Sequence, residues 1–280
     1  MLIFDIDTNT STFSYSVING RAEVIGWEGE PETLTIPDEI NGVPVTAIRD
    51  NAFYKCSSLK HIFLPDTLLH MGHHCFYDCT SLEYAELPDS LVDIGMGCFS
   101  GCSAMTHISL PDSISIIPDS CFRDCTLLEA VSIPQNVTSI EKFAFSGCSS
   151  MTGVSLSGRL QNIGDYAFFD CKELKSIYLP ESVTELGRES MGYSDASEGH
   201  NVIGGFSIYG TPGSPAEDYA EKNSIEFRKG DESVQAFAAA EEVHTPVEVP
   251  DYFWKFGLLF FVLAVLSTAL HDFRRRRKRP

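Results

Sequence analysis

Cysteine and histidine give this sequence its widest chemical range, because both ligate metals and cysteine also forms disulfides. The 280-residue chain has nine cysteines and eight histidines. The run of His70, His73, His74 and Cys75 could suggest a metal site. A tetrahedral zinc site needs ligands from two chain segments, so we predict no metal site here. The odd number of cysteines also argues against a full disulfide framework.

All nine cysteines lie on an internal repeat of 23 residues. Each of six units has a phenylalanine, a cysteine three residues later, a leucine or methionine three residues further on, and two apolar pairs. A proline follows the first pair at 65, 88, 111, 134 and 180, and Ser157 replaces it once. The repeated positions are Phe53, Phe76, Phe99, Phe122, Phe145 and Phe168, followed by Cys56, Cys79, Cys102, Cys125, Cys148 and Cys171.

Each unit is predicted to form one coil of a solenoid. Leu59-x-x-Ile62-x-Leu64 ends in the period-two spacing of a short strand with its apolar side chains inward, and Pro65 ends that strand because it cannot donate to a ladder. The Leu68-x-x-Met71 step turns the chain back, and Phe76-x-x-Cys79 has the spacing of a short helical or 3-10 turn. Because one coil cannot bury its own apolar side, coils stack. The fold class is therefore a mainly-β repeat solenoid, a right-handed stack of parallel strands with one strand per 23 residues.

Two stretches carry a family resemblance: Ala144-Phe145-Ser146-Gly147-Cys148 and Leu174-Lys175-Ser176-Ile177-Tyr178-Leu179-Pro180. Over about residues 30–228 the chain resembles the BspA-like, or treponemal, class of leucine-rich repeat. The resemblance implies a leucine-rich-repeat solenoid. It also implies a surface protein of bacteria or protozoa that binds host or microbial partners, without identifying the ligand.

The repeat gives the cysteines a structural role. Stacked coils are about 4.8 Å apart, which exceeds the Cβ separation of about 3.8 Å in a disulfide, so we predict free buried thiols. The slot of His73 varies between repeats, which indicates exposure rather than ligation. Three cysteines, Cys75, Cys98 and Cys121, share a slot with Ala52, Ala144 and Ala167, and the residues matching His73 are Met96, Asp119, Lys142 and Asp165.

The segments outside the repeats are predicted to cap and tether the stack. Residues 1–29 alternate around Asn19-Gly20 and predict an N-terminal β-hairpin cap. The repeats cover 30–194, with an atypical entry coil at 30–52 that carries a small hairpin at Asn41-Gly42. A C-terminal cap at 195–228 has a Gly- and Ser-rich loop to 205, a strand at 206–210 and a helix from Ser214 or Pro215 to Lys222. Residues 229–251 form a linker.

Residues 252–271 are predicted to form a transmembrane helix. Tyr252 to Leu270 contains one charge, Lys255, and its length nearly spans a hydrocarbon core of about 30 Å. The basic tail 272–280 follows, so the positive-inside rule makes this a single-pass membrane protein with extracellular repeats and a cytoplasmic C-terminus. Two alternatives remain: a buried core helix, and a tail-anchored chain with cytosolic repeats, because Met1 to Asp7 does not resemble a signal peptide.

Charge restricts the partners. Residues 1–251 contain 13 basic and 38 acidic residues. Such a body repels phosphate backbones, which argues against nucleic acid, and favours a basic partner. Acidity also serves solubility, so the charge alone does not demonstrate binding.

One cluster of side chains is the candidate ligand-binding site. Residues flanking the inward strand positions point outward, and in the first three coils these are His61, Phe63, Tyr84, Glu86 and His107. Aromatic side chains on a rigid surface are typical of binding hot spots, although aromatics also have good strand propensity. We predict a non-catalytic cell-surface protein for protein interaction or adhesion, without a cofactor, that binds a protein or surface glycan. The alternative is a structural spacer or an ectodomain subunit of a larger membrane assembly.

Overall fold

The computed structural model describes residues 12–196 and 199–230. All of them belong to one unit that spans Met1–Glu241. The predicted transmembrane helix 252–271, the tail 272–280, nearly all of the linker 229–251 and residues 1–11 lie outside the described residues. In the described ranges, no helix is long and apolar enough to cross a membrane.

An antiparallel hairpin begins the described chain. Strands β1 (Thr12–Ile18) and β2 (Arg21–Glu28) pair around Asn19 and Gly20, which both have the positive φ that a tight hairpin turn requires. The entry coil follows as β3 (Thr33–Thr35), β4 (Glu39–Ile40) and β5 (Val43–Ile48), with β4 and β5 antiparallel. Because β2 also pairs in parallel with β5, the hairpin is the first layer of the stack.

The repeats contribute strands of three and of two residues. In register, residue i lies opposite residue i + 23 of the next coil: β6 pairs with β8 and β11 with β13, all in parallel. The structure confirms a mainly-β solenoid of parallel strands. The strands are β6 (His61–Phe63), β7 (His70–Met71), β8 (Tyr84–Glu86), β9 (Asp93–Ile94), β10 (Ile116–Ile117), β11 (Ala130–Ser132), β12 (Ser139–Ile140), β13 (Gly153–Ser155), β14 (Asn162–Ile163), β15 (Ser176–Tyr178) and β16 (Glu185–Leu186).

The prediction of one strand per repeat was wrong, because five of the six repeats contribute two. The three-residue strands form what we call the first ladder, and the two-residue strands form a second ladder where only a reversal of the chain was expected. Neighbouring coils bond here through their backbones: Leu69 N–H donates to the Thr46 carbonyl (2.9 Å) and Gly72 N–H to the Ile48 carbonyl (2.8 Å). The Leu68-x-x-Met71 step therefore stacks as well as turns.

The Phe-x-x-Cys segment forms the predicted short turn but no continuous helix: Cys56 N–H donates to the Phe53 carbonyl three residues before it (3.2 Å), and later repeats do the same. Alternate N–H groups bond to the next coil, as when Phe53 N–H donates to the Cys75 carbonyl (2.9 Å) and Lys55 N–H to the Tyr77 carbonyl (2.7 Å). Those groups cannot also close local helical bonds. The segment is therefore a series of turns in which Asn51 and Lys55 have positive φ, and the equivalent residues of later coils do the same. Of the described residues, only Pro215–Lys222 form a helix.

The core is built from columns of identical side chains. The six repeat phenylalanines are fully buried and stack almost parallel, with neighbouring ring centroids 5.1–5.5 Å apart. All nine cysteines are free thiols, and all but Cys56 are buried. Each later repeat cysteine donates its S–H to the phenylalanine carbonyl of the coil before it, as from Cys79 to Phe53 (3.1 Å) and from Cys125 to Phe99 (3.2 Å). The thiols therefore satisfy a carbonyl within the core.

Pairing is interrupted between the coil of β8 and β9 and the next coil. On the first ladder this boundary has only an isolated bridge from Glu86 to Ser109, and on the second ladder β9 and β10 are unpaired. In the other coils, the residue equivalent to Pro118 donates its backbone N–H to a carbonyl of the preceding coil. Gly95 N–H donates to the Met71 carbonyl (2.7 Å), and Glu141 N–H donates to the Ile117 carbonyl (2.9 Å). Pro118 has no N–H, so the bond at this boundary cannot form.

The C-terminal coils end in mixed structure. The predicted loop before 205 is partly a hairpin of β17 (Tyr193–Ala196) and β18 (Gly199–Val202). This hairpin is supported by contacts that composition does not reveal: Asp170 N–H donates to the Tyr193 carbonyl (2.8 Å), and the His200 ring lies 4.7 Å from that of Phe169. The next elements, β19 (Ser207–Gly210) and α1 (Pro215–Lys222), lie at the positions predicted for a strand and a helix. A last strand, β20 (Glu226–Lys229), follows the helix.

Candidate binding surface

Four of the five predicted site residues lie on two adjacent strands of the first ladder. His61 is opposite Tyr84 and Phe63 is opposite Glu86, because β6 and β8 pair in parallel and in register. Ile62 and Ala85, between them, are buried, so the flanking side chains lie on the outer face. His61, Phe63 and Tyr84 are half-buried and Glu86 is exposed. We call these residues, with His107, the aromatic patch.

The fifth residue is placed differently. His107 is exposed but belongs to no strand, because only the bridge from Glu86 to Ser109 joins its coil to β8. Its Nδ1 is 2.8 Å from the Thr106 hydroxyl. The structure therefore brings four residues together in register and places His107 beyond an interruption of the ladder.

The patch combines ring surface with negative charge. Burial raises the pKa of the Tyr84 hydroxyl, and the nearby Glu86 carboxylate raises it further, so this hydroxyl is neutral at physiological pH. Phe63 and Glu86 also line a cavity of about 260 Å³ beside Asp66 and Asp89. A ligand on this surface would meet aromatic rings next to three carboxylates, an arrangement that suits a basic partner.

A larger groove lies along the second ladder, and sequence reasoning missed it. Its volume is about 810 Å³, and it extends from Glu23 in the N-terminal hairpin to Glu141. Val92, Met96 and Ile116 are exposed apolar side chains in its lining. The missed signal was the presence of apolar residues in repeat slots that are polar in most other coils. We call this feature the second-ladder groove.

His70, His73 and His74 each contact another residue of the protein. His70 is 4.0 Å from Asp93, His73 Nδ1 accepts the Met96 N–H (2.9 Å), and His74 packs edge-on against Tyr77. Across the part of the chain that the structure describes, no group of three or more histidine, cysteine, aspartate or glutamate residues could hold a metal ion.

Cys56 differs from the other thiols. Trp27 Nε1–H donates to its sulfur. A hydrogen bond from Cys79 lowers the pKa of the Cys56 thiol, with Trp27 adding to the effect against the opposing influence of burial. Burial raises the pKa of the deeper thiols such as Cys125 and Cys171. Eight of the nine cysteines are therefore buried in the core, and Cys56 is the most accessible.

The two ladders, the phenylalanine column and the exposed ladder surfaces define a leucine-rich-repeat solenoid. The chain matches the family described as BspA type Leucine rich repeat region in six copies, over residues 32–127 and 93–200. The protein belongs to this family of repeat proteins, which are generally non-catalytic and suited to protein interaction. No curated protein matches the chain.

Solved structures show the same fold. The Leucine Rich Repeat protein of T. pallidum is 24% identical, with a TM-score of 0.59 over 80% of this chain and 98% of that one. A leucine-rich repeat protein from Eubacterium ventriosum is 21% identical, with a TM-score of 0.55 over 67% of this chain and 54% of that one.

Proposed function

We propose that this protein is a non-catalytic binding protein of a cell surface, used for protein interaction or adhesion. Residues 252–271 anchor it in a membrane, with the repeats extracellular and residues 272–280 cytoplasmic. The nearly uncharged stretch from Tyr252 to Leu270 and the six basic residues at 274–279 support this topology. The ligand is a protein or a surface glycan, and the acidic composition favours a basic one over a nucleic acid.

The aromatic patch carries this proposal. Phe63 and Tyr84 lie on neighbouring rigid strands, so docking orders few side chains and costs little conformational entropy. Their rings supply contact area, and Glu86 supplies a carboxylate that orients a basic group. The middle coils carry small side chains in the same slots, such as Ala130 and Ser132. Tyr178 restores a ring in the last repeat, but it is buried.

Replacing Phe63 and Tyr84 together with serine is expected to weaken partner binding by about 2 kcal/mol or more if the two rings are hot spots. The partner is first captured from surface extracts with the full chain, and its affinity for each variant is then measured. Matched controls are Ala130→Ser and Ser132→Ala, in the same slots of a later coil. Thermal unfolding of each variant separates lost binding from lost stability, because both rings are half-buried.

Equal, small losses in the patch and control variants would contradict a binding role for the rings. The alternative function would then be favoured, in which the solenoid is a structural spacer or an ectodomain subunit of a membrane assembly. The regular stack supports that alternative, since repeated coils that contact only their neighbours can separate the two ends of a domain.

The membrane topology has its own test. A protease added to intact cells is expected to remove the repeats and leave a fragment with residues 252–280, because the positive-inside rule keeps the basic tail in the cytoplasm. The measurement is immunoblotting with one tag before residue 12 and another after residue 280. Repeats that survive until the cells are lysed would reverse the proposed orientation.

A further inference from the structure

Three exposed apolar side chains of adjacent coils line the second-ladder groove. Val92 is 48% exposed, Met96 43% and Ile116 47%. These values are high for side chains whose burial would each contribute about 1.5–3 kcal/mol of transfer free energy. An apolar cluster within a concave surface is typical of an interaction site rather than of ordinary solvent-facing surface.

The repeat provides an internal control for these three positions, because each slot holds other residues in other coils. Solenoid packing therefore does not require an apolar residue there. The slot of Ile116 is otherwise mostly polar, that of Met96 entirely polar, and that of Val92 polar in the coils that follow. The equivalents are His70, Asp93, Ser139, Asn162 and Glu185 for Ile116; Asp50, His73, Asp119, Lys142, Asp165 and Arg188 for Met96; and Ser115, Thr138, Gln161 and Thr184 for Val92.

The apolar cluster coincides with the interruption of the second ladder. Val92 and Met96 flank β9, Ile116 is in β10, and these two strands do not pair. Pro118, which removes the regular backbone bond at this boundary, also lines the groove. The backbone pairing and the side-chain polarity therefore both depart from the repeat pattern at the boundary between β9 and β10.

The charge around the cluster selects the kind of partner. Five carboxylates line the groove against one arginine, and that Arg49 is already paired with Glu23 at 2.6 Å. The acidic side chains not engaged by arginine are Asp50, Asp93, Asp119 and Glu141. A second copy of this chain fits poorly, because the described residues contain 29 acidic and 13 basic residues and two such bodies repel each other.

We propose that the second-ladder groove binds a peptide segment in which lysine or arginine side chains flank aliphatic ones. The aliphatic groups cover Val92, Met96 and Ile116, and the cations meet the surrounding carboxylates. The inference rests on the proposed binding function and deepens it, because it names the chemical class of partner and a further site on the second ladder. Attraction to the carboxylates accelerates association at low salt.

The test uses the full chain in a non-ionic detergent and a fluorescent acetylated peptide of alternating lysine and leucine. Anisotropy is measured against a micelle-only blank. The peptide is expected to bind about tenfold more tightly, or about 1.4 kcal/mol, than peptides in which glutamate replaces lysine or serine replaces leucine. The double variant Met96→Ser with Ile116→Ser is expected to lose about the same factor.

Matched variants separate the groove from general surface character. Leu127→Ser removes an apolar side chain that is 49% exposed outside the groove, and Glu129→Gln removes an exposed carboxylate outside it. Both should leave peptide affinity unchanged, whereas Asp93→Asn with Asp119→Asn should weaken binding and flatten its salt dependence. Equal losses in the groove and control variants would overturn the inference.

The inference and the proposed function fail in different ways. If Phe63→Ser with Tyr84→Ser abolishes peptide binding while the groove variants retain it, the partner class holds but the groove is not its site. If the captured partner binds through the aromatic patch and the lysine–leucine peptide does not bind at all, the groove inference fails alone. If neither the peptide nor any captured partner depends on either surface, both proposals fail.

Discussion

Replacing Phe122 with alanine is expected to lower the free energy of unfolding by about 3–5 kcal/mol. Phe122 is fully buried in the middle of the phenylalanine column, with its ring centroid 5.5 Å from that of Phe99 and 5.3 Å from that of Phe145. The change removes the buried ring and both stacking contacts. It also leaves a cavity that two neighbouring coils, held by backbone bonds on either side, cannot close. Urea unfolding followed by circular dichroism measures the loss.

The stacked pair of the exposed Tyr54 and the half-buried Tyr77 provides the control. Their rings also stack, with centroids 5.1 Å apart, but Tyr54 is 44% exposed. Tyr54→Ala therefore removes stacking with little cavity formation and should cost no more than about 1.5 kcal/mol. Similar losses for Tyr54→Ala and Phe122→Ala would show that burial in the column adds nothing to ring stacking.

Gly95→Ala should destabilise the protein by about 1–3 kcal/mol, because the added methyl group overpacks a backbone contact. A Cβ built on Gly95 would clash with the Gly72 carbonyl carbon and the His73 nitrogen of the preceding coil. Those are backbone atoms held by second-ladder hydrogen bonds, so they cannot rotate away as a side chain would. A lower thermal midpoint, with unchanged circular dichroism at low temperature, is the expected result.

Gly158 is the matched position for this substitution. A Cβ there would meet nothing within 4 Å, so Gly158→Ala should be neutral or stabilising by up to about 1 kcal/mol through the unfolded chain. If Gly95→Ala were as stable as Gly158→Ala, the coils could not approach as closely at Gly95 as the structure has them. Glu141 occupies the equivalent position two coils later. The requirement for glycine at position 95 therefore comes from the adjoining coil and not from the position within the repeat.

The sequence was sufficient to predict the architecture, because the repeated positions of apolar residues indicate a solenoid. A phenylalanine, a cysteine and five apolar positions recurring in register identify which side chains face inward, and the buried columns of Phe53 to Phe168 and Cys79 to Cys171 follow from that spacing. Local signals also worked at the ends, since Asn19-Gly20 marks a hairpin and Pro215 begins a helix.

The aspartate and glycine alternation shows where sequence reasoning stops. Positions 78, 101, 124, 147 and 170 read Asp, Gly, Asp, Gly, Asp, a pattern without evident meaning along the chain. In the structure, the Asp78 carboxylate occupies the space that a Cβ on Gly101 would need, and Asp124 does the same to Gly147. Asp78 and Asp124 thus each face a glycine in the next coil, a relation that only contacts between coils reveal.

By itself, the sequence determined a stack of 23-residue coils, the residues that fill its core and the outward position of Phe63 and Tyr84. Only the tertiary structure decided the second ladder, the bonds to the next coil that keep the Phe-x-x-Cys turns from extending into a helix, the interruption at Pro118 and the groove beside it. Periodicity reports which way a side chain points within its own coil. Backbone bonds between coils join residues about one repeat apart, and their presence or absence depends on neighbours that a local pattern does not contain.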